Sequence, residues 1–368
     1  MTGNLFNLDL FLEKAVKTDS SDIHLKVGEK PMLRRDGVIL KVDLPPITRE
    51  DMNAMVQKIV PDFIKDRLAK ATDLDFSYEL KDVSRFRVNL SRAMTEFSLV
   101  FRVIPYSIKN FEKLHLPVSM QQFADYNNGL VLVTGPTGSG KSTSLASFID
   151  YINQKYQKHI VTIEDPVEFV FTDKKCKLTQ RQVGIDTENF ASGIKYALRQ
   201  DPDVILVGEI RDRETLDSAL KAAETGHLVF ATMHTNDAIQ TIYRIVNMYE
   251  PEDRDSVRRQ LAQTLRGTVA QKLVKKAVGN GRYPACEILV VTPTIKDFII
   301  KDELENIYDL VKKGSFNDMV TMNESLFQLV ECGAITKETA LEASDDKMEL
   351  EQFFRGVFRG TAQQWTTL

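Results

Sequence analysis

The chain has 368 residues, room for a core domain and a smaller companion. Apolar residues at 43% and charged residues at 27% are the balance of a globular protein, which excludes a disordered tail. The 48 Lys and Arg against 52 Asp and Glu leave a net charge of −4, without the basic excess of a general nucleic-acid binder.

Leu8 to Val16 reads as a short amphipathic helix, and Asp22 to Val27 alternates polar and apolar like a half-buried strand. Asp36-Gly37, flanked by Met32 to Arg35 and Val38 to Leu40, is a hairpin signal, because both turn positions need positive φ. Thr48-Arg49-Glu50-Asp51 has the chemistry of a helix start and opens a helix to about Val60. Strand patterns return at Leu74 to Tyr78, Ser84 to Leu90 and Phe97 to Ile104. Residues 1–105 are therefore expected to form a small α+β domain, and 106–117, between Pro105 and Pro117, a linker.

After Gly129 the pattern changes. Leu130-Val131-Leu132-Val133 is the continuous apolar run of a parallel strand buried on both faces. It leads into a glycine loop and a helix from about Lys141, and similar strands are expected at His159 to Ile163, Val204 to Val207 and Leu228 to Met233. Strand, loop, helix, strand is the rhythm of a doubly wound α/β domain, here spanning 118–368. From about Glu252 the chain reads as mostly helical, with C-terminal helices from about residue 294. Leu350, Phe353, Phe354, Val357 and Phe358 share one face of a terminal helix, followed by a frayed end at 361–368. Cys176, Cys286 and Cys332 have no metal-ligand spacing and read as reduced thiols of a cytosolic protein. The N-terminus lacks a signal-peptide pattern, and no stretch approaches the roughly 20 apolar residues that cross a bilayer, so no direct membrane insertion is expected.

The chemistry concentrates in the loop Gly135-Pro136-Thr137-Gly138-Ser139-Gly140-Lys141-Ser142, with Thr143 following. Glycines let several backbone N–H groups point at phosphates, and the helix N-terminus adds its positive end. Lys141 neutralises β- and γ-phosphate charge, and the Ser142 hydroxyl is a ligand for Mg²⁺. A plain glycine-rich turn would need neither, so ATP with Mg²⁺ is the expected substrate pair. Other functional groups stand at strand ends, where ligands gather in open α/β sheets. Glu209 is the candidate to orient or deprotonate the attacking water. Glu164 or Asp165 is a candidate to hold Mg²⁺ through a water, or a solvated strand-end carboxylate. His227 and His234 bracket a strand as γ-phosphate sensors or as structural donors. Arg254, Arg258, Arg259, Lys272, Lys275 and Lys276 concentrate positive charge, either as a solvated helix face or as a surface for acidic loops of a partner.

The segments GPTGSGKST (135–143), VTIEDPVEF (161–169), LRQDPDVILVGEIRD (198–212) and AAETGHLVFATMHT (222–235) together resemble the secretion ATPases. Within them the chain is similar to the PilT-like retraction ATPases of type IV pili, the motors of twitching motility; SSDIHLKVG (20–28) and RFRVN (85–89) extend the likeness over nearly the whole length. That resemblance implies a PAS-like N-terminal domain joined to a RecA-like P-loop core with a helical C-terminal region, assembled as a homo-hexamer. It assigns Glu164-Asp165 to an Asp box, Glu209 to the Walker B position, and His227 to His234 to a His box, with Gly208 where Walker B motifs usually carry aspartate. Arg87 and Arg102 match a pair of arginines near the γ-phosphate; without the likeness they would read as solvated strand residues. The implied setting is cytoplasmic, peripheral at the inner membrane at the pilus base, with a platform protein and a paralogous pilus ATPase as partners and no nucleic acid. Met94-Thr95 stands where retraction motors usually carry Arg-Gly. The stretch Thr294 to Lys301 departs from their Ala-Ile-Arg-Asn-Leu-Ile-Arg-Glu at its closing pair. The tetracysteine zinc site of many assembly ATPases is absent from the sequence. A retraction motor is thus the leading expectation. An accessory docking ring, an assembly or secretion ATPase and a RecA-like DNA motor are the alternatives.

Overall fold

Local rules specify the first elements. Helix α1 (Leu8–Lys17) buries Leu8, Phe11, Leu12 and Ala15, one stripe at helical spacing. Strands β1 (Asp22–Lys26), β2 (Met32–Arg35) and β3 (Val38–Lys41) follow. The β2–β3 pair closes at Arg35 opposite Val38, with Gly37 at φ +81°, where L side chains are disfavoured; Asp36 lies outside the described residues. Thr48 caps α2 (Arg49–Ile59) in a reciprocal box with Asp51. Strands β4 (Asp73–Leu80), β5 (Ser84–Ala93) and β6 (Glu96–Ile104) complete a six-stranded sheet, antiparallel throughout, in the order β3-β2-β1-β6-β5-β4. The alternating burial of β5 puts Phe86, Val88 and Leu90 into a core with Leu12, Ile23, Leu25 and Met52.

This computed structural model describes residues 6–35, 37–68, 72–81, 83–104, 108–313 and 318–357. The chain divides into two units, Met1–Ser107 with Glu168–Val170, and Ile108–Val167 with Phe171–Leu368.

In the second unit β7 (Gly129–Thr134) is buried at every residue and runs into the glycine loop. Then come α3 (Lys141–Lys155), β8 (His159–Glu164), β9 (Lys177–Gln182), α4 (Phe190–Ala197), β10 (Val204–Val207), α5 (Arg213–Glu224), β11 (Leu228–Met233), α6 (Ala238–Val246) and α7 (Arg254–Thr264). Strands β12 (Leu265–Lys275) and β13 (Arg282–Val290) extend the sheet, and α8 (Pro293–Lys301), α9 (Glu305–Lys313), α10 (Met322–Glu331), α11 (Lys337–Ala343) and α12 (Lys347–Gln352) follow. The order is β13-β12-β7-β11-β10-β8-β9, parallel except for β13 at one edge. The fold class is the expected one, a small α+β domain and a P-loop α/β core with a helical C-terminal region.

Two local readings are corrected, and one strand, β9, had no reading. The largely helical chain after Glu252 is interrupted between α7 and α8, where β12 and β13 form a long antiparallel pair. Their strand pattern is masked by polar residues whose groups are satisfied inside the protein, such as Arg266, which donates to the Asn128 carbonyl and side chain at 3.0 and 2.7 Å. Strand β9 carries Thr179, Gln180 and Arg181 at a sheet edge and gives no apolar signal. The terminal helix stops as α12 at Gln352. Leu350 and Phe353 are buried together as expected, but Gly356 at φ +84° breaks the helix, and Phe358 lies outside the described residues.

Candidate functional site

The sheet places the phosphate loop between two strands. β11 pairs with β7 along its whole length and β12 flanks the other side and runs on past Ala270, so groups leaving the C-terminal ends of β7 and β11 meet the loop beside the middle of β12. Gly135, Gly138 and Gly140 hold φ of +140°, +80° and +91°, and Gly140 is the left-handed cap from which α3 starts. Lys141 is buried, and its ammonium donates to the loop carbonyls of Gly135 at 2.8 Å and Pro136 at 3.0 Å. A cation curled back onto its own loop stands where phosphate oxygens would replace those carbonyls. Ser142 and Thr143 are half-buried in the first turn of α3, while Pro136, Thr137 and Gly138 are exposed and Ser139 is buried.

β10 ends beside β8 and β11. The Gly208 N–H donates to the Ile163 carbonyl at 2.8 Å, and its carbonyl accepts the Thr232 hydroxyl at 2.5 Å. A Cβ at Gly208 would stand 3.3 Å from Glu164 Cα and from the Ile163 carbonyl. That crowding explains glycine where an aspartate would otherwise be expected, because the Glu164 backbone occupies the space. The next residue, Glu209, points a half-buried carboxylate at two partners: Arg211 Nη2 at 2.7 Å and His234 Nε2 at 3.3 Å. Burial pushes the Glu209 carboxyl up. The hydrogen bond and charge of Arg211 outweigh this and, with His234 and Lys141, hold it below the ordinary carboxylate range. Glu209 is thus an ionised acceptor near neutral pH, suited to orient a water.

Glu164 is buried and accepts the Thr162 hydroxyl at 2.7 Å and the Gln180 amide at 3.4 Å, while Asp165 is exposed. Among the described residues no group of three or more His, Cys, Asp or Glu forms a ready metal cage. The hard-oxygen set of Ser142, Glu164 and Asp165 fits Mg²⁺, which is typically held by one or two protein oxygens together with substrate phosphates.

Not every candidate converges. His227 precedes β11 and His234 follows it, so the strand separates them by about 20 Å at 3.3 Å per residue. The His227 ring lies 2.9 Å from the Ala222 carbonyl and 3.2 Å from the Thr225 hydroxyl, at the N-terminal end of β11 away from the loop. Arg87 and Arg102 belong to the first unit, directly opposite each other on β5 and β6. Arg102 is engaged by Asp22 at 2.9 Å. The basic cluster is individually partnered at several positions: Arg258 with Asp255 and Asp302, Lys272 with Asp345, and Arg254 with the Tyr249 carbonyl. Arg211 received no role from the sequence, although its spacing of two from Glu209 was a usable signal; Thr162, again two residues from its partner, supports Glu164 in the same way.

A family model described as type II/IV secretion system protein matches residues 5–296. The "Type IV pilus retractation ATPase PilT" of Pseudomonas aeruginosa is 43% identical over 328 residues, covering 89% of this chain and 95% of that protein. A "Twitching motility protein" of Neisseria gonorrhoeae is 41% identical over 333 residues, 90% of this chain and 89% of its own length. Among solved structures, the pilus retraction motor PilT with bound ADP superposes with a TM-score of 0.89 at 43% identity, covering 94% of this chain and 99% of the other.

Proposed function

The chain belongs to the type II/IV secretion system protein family, and from that premise we propose that it is an ATPase motor driving retraction of type IV pili. The observation that supports this most directly is the meeting of the Lys141 loop with the Glu209–His234 pair at the ends of adjacent strands. Relatives named as retraction and twitching proteins match it over nearly their full length.

ATP is the substrate. Backbone N–H groups of residues 137–143 and the Lys141 ammonium bind its phosphates, Lys141 giving up the Gly135 and Pro136 carbonyls to do so. Ser142, with Glu164 or Asp165, would hold Mg²⁺, which would supply charge neutralisation on the phosphates. Glu209 accepts a hydrogen bond from the attacking water and aligns it. Arg211 keeps that carboxylate ionised, and His234, which contacts its other oxygen, serves as the γ-phosphate sensor. Arg87 and Arg102 are proposed to reach the γ-phosphate held by another copy in a homo-hexameric ring, Arg102 exchanging Asp22 for a phosphate oxygen. Loss of the γ-phosphate then removes those contacts between copies, which couples hydrolysis to motion in the ring. The ring would work on a platform protein at the inner membrane; among the described residues no helix is long and apolar enough to cross a membrane.

ATP affinity and turnover measured separately test the chemistry. Lys141→Ala should abolish binding, and Glu209→Ala should retain binding and lose hydrolysis. Wild-type turnover in the Glu209 variant would refute its role. Activity per subunit should rise with protein concentration through the range of ring assembly. Deleting the gene should leave cells with many pili that fail to retract; a loss of surface pili would instead mark an assembly motor.

A further inference from the structure

A phosphate loop works only if its peptide planes are turned so that N–H groups face the ligand, and something must hold the opposing carbonyls. Gln271 stands where that is needed. It follows Ala270, which pairs in register with Thr134 at the end of β7, so β12 brings it alongside the point where the loop leaves the sheet. The residue is 2% exposed, and its carboxamide makes two hydrogen bonds of 2.7 Å. Nε2 donates to the Ser139 carbonyl inside the loop, and Oε1 accepts the Ser144 hydroxyl in the first turn of α3. The orientation of the amide follows from chemistry, since a carbonyl oxygen only accepts and so requires the NH₂ end.

The same residue shapes two of the loop's glycines. A Cβ at Gly135 would lie 2.3 Å from the Gln271 carbonyl oxygen, and one at Gly140 would lie 2.8 Å from Gln271 Nε2. The loop is therefore folded down onto this one residue of the neighbouring strand. That strand is anchored beyond it, because Lys272 donates to the Ala343 carbonyl at 2.9 Å and pairs with Asp345 at 2.7 Å.

We propose that Gln271 is a positioning residue of the ATPase site, which fixes the Ser139–Gly140 peptide so that the Gly140 N–H is presented to the nucleotide phosphates. In a trans peptide the C=O and the following N–H point in opposite directions. Drawing the Ser139 carbonyl inward aims the Gly140 N–H outward, toward the open side of the loop. Without Gln271 that peptide is free to turn over, and the phosphates meet a carbonyl instead of a donor. The inference rests on the reading of the loop as the ATP site.

The test uses the full-length protein with Gln271→Leu, Gln271→Glu and Ser144→Ala, reading the affinity for ATP with Mg²⁺ and the steady-state KM and kcat. Losing the buried hydrogen bonds of the carboxamide should weaken ATP binding about tenfold to a hundredfold in Gln271→Leu. Gln271→Glu should be at least as weak, because its carboxylate repels the Ser139 carbonyl. Ser144→Ala, which leaves the bond to Ser139, should change affinity less than about threefold. The Gly140 contact is made equally before and during the reaction, so KM should rise while kcat at saturating ATP stays within about threefold. ATP affinity within twofold of wild type in folded Gln271→Leu would overturn the proposal, as would equal losses in Gln271→Leu and Ser144→Ala. Hydrogen exchange on the wild-type protein gives a readout that does not depend on any variant folding. The Gly140 amide should gain protection when ATP is added, and an unchanged exchange rate would also overturn the proposal. Failure of the wild type to bind ATP at all would instead sink the underlying reading of the site.

Discussion

Removing Arg211 should move the pH dependence of hydrolysis in a direction fixed by the geometry. Glu209 must be ionised to accept from the attacking water, so activity falls on the acid side as Glu209 protonates. Arg211, bonded at 2.7 Å, is the main group opposing the upward push of burial on this carboxyl. In Arg211→Ala the Glu209 pKa therefore rises, and the acid limb of kcat moves to higher pH. A hydrogen bond to a charged group is worth about 1.5–3 kcal/mol in a protected setting. Arg211 is 70% exposed, so solvent screening reduces this to about 1 kcal/mol. At about 1.4 kcal/mol per pH unit, the limb should shift by roughly half to one unit. Phosphate release at saturating ATP, from neutral pH down through the acid range below the ordinary carboxylate value, in wild type and variant, gives the curve. Raising the salt should move the wild-type limb toward that of the variant, because an exposed ion pair is screened. An acid limb that stays in place in Arg211→Ala would show either that Arg211 does not hold Glu209 or that Glu209 is not the titrating group.

Gly208→Asp, which restores the usual Walker B residue, should destabilise the protein by about 1–3 kcal/mol in a urea melt, because its Cβ is pressed against the Glu164 backbone at 3.3 Å. An unchanged melt would mean that the strand ends are looser than drawn. Met94 and Thr95 both turn the β5–β6 hairpin at positive φ, 52° and 72°, so Thr95→Gly should relieve left-handed strain and raise stability by about 0.5–1 kcal/mol; a loss of stability would refute the strain. Burial pushes the Glu287 carboxyl up to about 7 from its ordinary 4.5, against a weaker opposing hydrogen bond from Ala238. Its ionised form is thus disfavoured in the folded protein, and the stability it permits at low pH is lost as pH rises from about 4.5 through 7, a span worth at most about 3 kcal/mol. Glu287→Gln should flatten that part of the stability–pH curve, and a curve as steep as wild type would remove Glu287 as its source.

Where the chain was read correctly from its letters, the cause was local. The Thr48–Asp51 cap, the buried run of β7 and the loop ending at Lys141 and Ser142 each carry their instruction within a few residues, because capping, strand burial and left-handed turns depend on immediate neighbours. The strand-end positions of Glu209 and His234 were legible for the same reason, since each follows a recognisable strand. What those residues touch was decided elsewhere. The 3.3 Å approach of His234 to Glu209 exists because β10 and β11 are adjacent, and the same strand direction carries His227 to the opposite end of β11. Nothing in Leu265 to Lys275 marks Gln271, which gains its two partners only when β12 pairs with β7 across more than 120 residues of intervening chain, the separations being 132 and 127 positions. The sequence by itself determined the strand-and-loop grammar and the charged groups at strand ends. Only the tertiary structure, by setting the strand order and register, decided which of those groups share one site and which polar residues of neighbouring strands hold them in place.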